Sequence, residues 1–269
     1  MRSRQIAIMW IVAAVLFAAL AYHAHEVRLR LGNPVILTGY LLFAVMVGLG
    51  LFNLRKKLPM LPLGGATTWL ELHAVGGVFA IALFWLHSGA LWPNGPYEQL
   101  LAVLFYLVSF TGIAGYIIQR TYPRRLTQTG IEVIYERIPG ELADLRDEGQ
   151  NIVLACTDET GSDTLARHYT ETLEWFFRRP RFFLNHALGG RGSEHWVRRN
   201  FTSVERLLNE AEHRHWEKLR ALAEAKNKID FHYAAQSLTK WWPLSHVPLA
   251  AAVLALALWH LILVNVYAL

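Results

Sequence analysis

Apolar residues gather in five long runs, about 5–22, 35–54, 68–92, 98–119 and 244–267, and polar residues fill the chain between them. Each run approaches the ~20 residues a helix needs to cross a bilayer core. A backbone in lipid must satisfy its own hydrogen bonds, which an α-helix does. The pattern therefore predicts an all-α integral membrane bundle of five transmembrane helices. Segment 120–240 contains no run long enough to cross and reads as a helical insertion between the fourth and fifth spans. The expected organisation is 1–119 for spans one to four, 120–240 for the insertion, and 241–269 for the fifth span, which completes the membrane core.

Within the insertion, residues 140–156 read as one helix. Asp158, Thr160 and Ser162 form a turn that caps a second over 162–178, stopped by Pro180. Gly189, Gly190 and Gly192 break the chain before a long helix from about Ser203 to Trp241. Along it Val204, Leu208, Ala211, His215, Leu219, Leu222, Lys226, Ile229 and Tyr233 recur at spacings of three and four, a stripe that packs against a neighbour. That helix is expected to run into the fifth span until Pro243 interrupts it.

Composition agrees with a polytopic membrane protein: 54% of the 269 residues are hydrophobic. Trp69, Trp92, Trp241, Trp242 and Tyr267 stand near span ends, where interfacial aromatics anchor. Of 26 Lys+Arg and 21 Asp+Glu, segment 121–240 holds 18 of each, so the positive excess lies beside the membrane and implies no nucleic-acid partner. Arg2 and Arg4, then Arg55, Lys56 and Lys57, then Arg120, Arg124 and Arg125, then Lys240 flank one side of the spans. The positive-inside bias puts the N-terminus and residues 120–240 in the cytoplasm, consistent with a bacterial inner (plasma) membrane. The first apolar run is long for a cleaved leader and is expected to stay as a helix. Cys156 is the only cysteine, which excludes a disulfide framework, a CxxC metal site and covalent haem attachment.

The chemistry concentrates in four histidines. His73 and His87 lie fourteen residues apart in the third run, and His246 and His260 repeat that interval in the fifth. Fourteen residues is just under four helical turns, so each pair shares a face, about 21 Å apart along the axis. With one crossing and the insertion between them, the two helices run parallel, which pairs His73 with His246 and His87 with His260 by depth. An ionisable residue inside a span usually marks function. Two planar cofactors at two levels, each iron held by one imidazole from each helix, fit the arrangement: two b-type haems, non-covalently bound.

Two parallel helices with such histidine pairs inside a four-helix core resemble the membrane di-haem b-type cytochromes, cytochrome b among them, over roughly half of the chain. Gly39, Gly48, Gly50, Gly76, Gly77, Gly112 and Gly115 are possible counterparts of the glycines that let the macrocycle approach the backbone in that family. The PEWY tetrapeptide of the family's outer quinol site is absent, and the large loop lies on the opposite side. The resemblance implies two haem b, with His73, His246, His87 and His260 as ligands. It also implies electron transfer across the membrane between quinone and a redox partner.

Other candidates are weaker. Arg120 and Arg124, with Arg125, suit haem propionates, although positive flanks are expected there on topology alone. Quinone chemistry needs titratable groups near one haem: His23, His25, Glu26, Tyr97 and Glu98 on one side, Glu71 and the cluster Asp230, Phe231, His232, Tyr233 on the other. Glu71 is turned about 200° from His73 and better placed to meet another helix. The Arg178, Arg179, Arg181 cluster with Phe182 and Phe183, and Arg198 with Arg199, suit an acidic redox partner or the membrane surface, ordinary solvation being the commoner reason for such a cluster. The expected partners are lipid, quinone or quinol, and a flavin or iron–sulfur subunit docking on the cytoplasmic insertion. The alternatives are a haem-containing scaffold or redox sensor whose insertion recruits partners, and a metal or haem transporter. Two axial histidines leave no open coordination position, which counts against gas chemistry.

Overall fold

The computed structural model describes residues 2–53 and 65–267, and every regular element among them is helical. The chain divides into two units, Met1–Ile117 with Trp242–Leu269, and Ile118–Trp241.

The first unit holds α1 (Arg2–Leu29), α2 (Val35–Gly50), α3 (Ala66–Ser88), most of α4 (Pro96–Thr127) and the apolar end of α10 (Glu210–Tyr267). Helices α1, α3, α4 and α10 are long and apolar enough to cross a membrane. Helix α2 is apolar but has 16 residues, about 24 Å at 1.5 Å per residue. The expected second span ends at Leu54, outside the described residues, as do Arg55, Lys56 and Lys57. Helix α3 stops at Ser88, short of residue 92, because Gly89 takes a left-handed φ of 68° and donates its N–H to the Trp85 carbonyl. Ala90, Leu91 and Trp92 had prolonged the apolar run without prolonging the helix.

Helix α3 packs its backbone closely on α1 and α2, and among the described residues α3 and α10 make no comparable approach. Between them lies a layer of Leu42, Ala80, Leu83, Phe84, Ala102, Phe105 and Val253, with the Phe84 and Phe105 rings stacked at 4.6 Å. Ala80 and Val253 are each seven residues from both histidines of their own helix. The packed layer is therefore midway between the two histidine levels.

The second unit contains the end of α4, then α5 (Ile138–Thr160), α6 (Thr164–His168), a π-helical turn (Tyr169–Leu173), α7 (Glu174–Phe177), α8 (Phe183–Leu188), α9 (Gly192–Glu205) and the polar part of α10. Helix α5 runs through the expected turn at Asp158 and Thr160, and Gly161, at φ 68°, ends it instead. The core joins Leu165, Leu173, Phe176, Phe177, Phe201, Trp216 and Leu219.

Two expectations about α10 change. The stripe beginning at Val204 is split: α9 ends at Glu205 and α10 begins at Glu210. Asn209 and Glu212 form a reciprocal capping box, in which the Glu212 N–H donates to Asn209 Oδ1 and the Asn209 N–H to Glu212 Oε2, both at 2.8 Å. Spacing alone bridged this break because Val204 and Leu208 kept the helical interval. The second change is that Pro243 does not interrupt the helix; α10 passes through Pro243 and Pro248 to Tyr267. A proline's fixed φ suits a helix, and its cost is one missing N–H and crowding against the preceding turn. Long helical segments on both sides carry α10 across it.

The second unit buries one ion pair of opposite charges. Lys226 and Asp230, both fully buried one turn apart on α10, approach to 2.5 Å. Lys226 Nζ also donates to the Arg179 carbonyl at 3.1 Å and lies 4.0 Å from the centre of the Phe176 ring. Replacing one partner strands the other, which costs about 3–5 kcal/mol.

Candidate functional site

The structure brings the four histidines together as two facing pairs. The His73 and His246 ring centroids are 6.4 Å apart with planes at 76°, and His87 and His260 are 6.5 Å apart at 84°. Helices α3 and α10 thus run in the same direction in this unit, and the pairing by depth follows. Both pairs have nearly the same separation and the same crossed orientation.

Each pair includes one histidine oriented by a Thr–Gly dipeptide on a neighbouring helix. On α2, Thr38–Gly39 faces His87: His87 Nδ1 lies 3.1 Å from the Val35 carbonyl and 3.4 Å from Thr38 Oγ1. The Val35 oxygen can only accept, so Nδ1 carries the proton and Nε2 keeps its lone pair. On α4, Thr111–Gly112 faces His246, with Thr111 Oγ1 2.9 Å from His246 Nδ1. The Thr111 hydroxyl already donates to its own helix, 3.0 Å from both the Leu107 and Val108 carbonyls. Its oxygen therefore accepts from His246 Nδ1, and the same tautomer results. A second group that fixes the tautomer is the usual companion of an imidazole metal ligand.

The glycines give the rings room. A Cβ at position 39 would come within 2.8 Å of His87 Cε1, and one at position 112 within 3.4 Å of His246 Cε1. Gly115 is tighter: a Cβ there would overlap the Trp242 indole at 2.0 Å. Trp242 donates from Nε1 to the Thr111 carbonyl at 2.6 Å and stacks on His246 at 5.3 Å and 22°. At the other level Tyr97 stacks on His260 at 5.9 Å and 22°, its hydroxyl donating to the Leu256 carbonyl at 2.7 Å. His73 has the Phe52 ring at 4.9 Å. Its buried Nδ1 makes no hydrogen bond.

Thr38, Thr111, Tyr97 and Trp242 were not singled out from sequence as partners of the histidines. The repeated Thr–Gly dipeptide, once in each of two spans that lack a paired histidine, was the readable signal.

Glu71 is buried and accepts a hydrogen bond from the Tyr116 hydroxyl at 3.0 Å, so it meets α4, as its helical angle suggested. Arg120 and Arg124 lie on the last turns of α4 and belong to the second unit, whereas the histidine pairs belong to the first. Asp230 is held by Lys226, and His232 Nε2 lies 2.8 Å from Thr129 Oγ1, so both are engaged in the second unit's own packing. His215 bonds Glu159 at 2.9 Å, while His213 stands over the Trp216 ring at 5.3 Å.

Among the described residues no group of three or more His, Cys, Asp or Glu side chains could hold a metal ion. Among those residues each facing pair supplies two imidazoles without a third His, Cys, Asp or Glu side chain. Such a set suits a metal whose remaining positions are filled by a group that is not protein, as a porphyrin fills four. No family model, curated protein or solved structure matches this chain.

Proposed function

We propose that the protein is a membrane di-haem b-type cytochrome that carries electrons across the bilayer between quinone and a protein redox partner. The observation that carries this reading is the pair of ring separations, 6.4 and 6.5 Å. A metal–nitrogen bond of about 2 Å plus about 1.1 Å from nitrogen to ring centre, taken on both sides of one iron, gives about 6.2 Å. A direct hydrogen bond between two imidazoles and a gap filled by packing have no reason to reproduce that value twice. The Nδ1–H tautomers of His87 and His246 leave Nε2 free, as iron ligation requires.

When bound, haem supplies a one-electron Fe(III)/Fe(II) couple. His73 and His246 would hold one haem, and His87 and His260 the other. Thr111 and the Val35 carbonyl fix their imidazoles, and Gly39 and Gly112 clear space beside them. The layer around Phe84, Phe105 and Val253 excludes water between the two levels. In this reading α2 is the second of five spans. The flanking positive charges put residues 120–240 on the cytoplasmic side of a bacterial plasma membrane, facing a flavin or iron–sulfur partner.

The test is a reduced-minus-oxidised spectrum of the purified protein, with haem quantified per chain. Two low-spin b haems are expected. With imidazole planes crossed at 76° and 84°, the ferric electron paramagnetic resonance signal of a haem held by each pair should be strongly anisotropic. His87→Ala or His260→Ala should remove one haem and spare the other. A haem-free protein, or one in which neither change removes a haem, overturns the proposal.

A further inference from the structure

Helix α8, in the second unit, has two unlike faces. His186 points inward and is buried, whereas Leu184 and Leu188, one turn apart, are 72% and 86% exposed. Phe182, at a φ of 54°, precedes the helix, and its ring packs inward at 5.8 Å from Trp196. A phenylalanine rarely adopts that backbone conformation. It sends ring 182 inward while Phe183 and Leu184 remain at the surface. Trp175, 46% exposed, continues the apolar patch, with its ring 6.0 Å from that of Phe182. The Arg181 guanidinium lies 3.9 Å above the indole, and its Nε donates to the Trp175 carbonyl at 2.9 Å.

Cations frame the patch. Arg178 and Arg179, which precede α8 in the chain, and Arg191, which follows it, are exposed. Arg125 rests against Gly189, where a Cβ would meet Nη1 at 3.0 Å. From residue 175 to 193 the chain carries Arg178, Arg179, Arg181 and Arg191 and not one Asp or Glu. The one amide near the centre, Asn185, is occupied in accepting from the Ser193 N–H at 3.3 Å.

We infer that Trp175, Phe183, Leu184 and Leu188, within their arginine frame, dock on an anionic lipid surface. Aliphatic groups that enter the acyl boundary, an amphipathic indole and guanidinium groups at headgroup level are what such a surface selects. The second unit is tethered at both ends to helices apolar enough to cross a membrane, α4 and α10. Lipid is therefore always within its reach. An acidic protein would satisfy the arginines but leave the exposed leucines without a reason. The inference does not rest on the haems.

The experiment uses the full chain in lipid nanodiscs. Cys156, the only cysteine, is fully buried, so a fluorophore placed through Leu188→Cys reports that position alone. Leu154→Cys, at a residue 62% exposed on α5, is the control. In phosphatidylglycerol discs, quenching by nitroxide-headgroup lipid should be at least about threefold stronger at 188 than at 154. Arg178→Gln and Arg179→Gln should each lower the docked-to-free ratio about fivefold, and phosphatidylcholine discs should lower it further. Leu184→Cys gives the same readout should the first variant fail to fold. Equal quenching at 188 and 154 in anionic discs overturns the inference. So does a 188 label already shielded from water in lipid-free detergent, which would indicate a protein contact.

Discussion

Gly39→Ala is the sharpest test of the His87 site. The added methyl would lie 2.8 Å from His87 Cε1 and 3.2 Å from Nδ1. Carbon–carbon contacts settle at about 3.5 Å or more, so the ring must retreat by about 0.7 Å. It cannot do so while keeping its 3.1 Å bond to the Val35 carbonyl, and an iron–nitrogen bond tolerates only about 0.2 Å. Overpacking of this kind costs about 1–3 kcal/mol, which corresponds to a roughly 5- to 150-fold weaker hold on the haem at that level. Gly140, on α5 in the second unit, provides the control, because a Cβ there meets nothing within 4 Å and the histidine pairs belong to the first unit. The assay is stepwise haem release from purified variants into excess apomyoglobin, followed by difference spectroscopy. Gly39→Ala should lose one haem quickly and keep the other, while Gly140→Ala behaves as the parent does. If Gly39→Ala keeps both haems as tightly as Gly140→Ala, the placement of His87 against α2 is wrong.

Two further outcomes are expected. Thr111→Val removes the hydrogen-bond acceptor of His246 and should weaken retention of the haem at that level about 10- to 100-fold, with Thr111→Ser restoring it. Thr38→Val should change little, because His87 keeps the Val35 carbonyl; equal effects at both threonines would refute the tautomer assignment. Burial first, then the positive charges of Lys226 and Arg125, push His186 down to about 4. The unfolded chain protonates near 6.5, so between pH 6.5 and 4 it binds a proton that the folded second unit refuses. Stability should fall on acidification across that window, by up to about 3 kcal/mol. His186→Phe should flatten the dependence in denaturant titrations of the full chain; an unchanged slope would refute it.

The histidine interval was legible because a helix converts sequence spacing directly into position on a face, and nothing between His73 and His87 disturbs it. The partners of those rings were not. Gly39 and Gly112 were noted among seven glycines, but small residues are common wherever membrane helices cross. Which of them face a ring depends on how α2 and α4 are rotated, and that rotation has no local code. Thr111 reads as an ordinary hydroxyl bonded to its own helix until His246 is brought beside it from another. The break before α10 was encoded locally, in Asn209 and Glu212, and the hydrophobic stripe masked it. Pro243 misled for the opposite reason: a strong local signal was overridden by the helix on either side.

The indole of Trp242 sits where a side chain at 115 would begin, which ties two distant positions into one evolutionary unit. A lineage can enlarge residue 115 only after trimming 242, so an order of substitution is imposed. Homologues should fall into two groups, glycine with tryptophan or alanine with something slimmer, and the mixed combination of alanine with tryptophan should be missing.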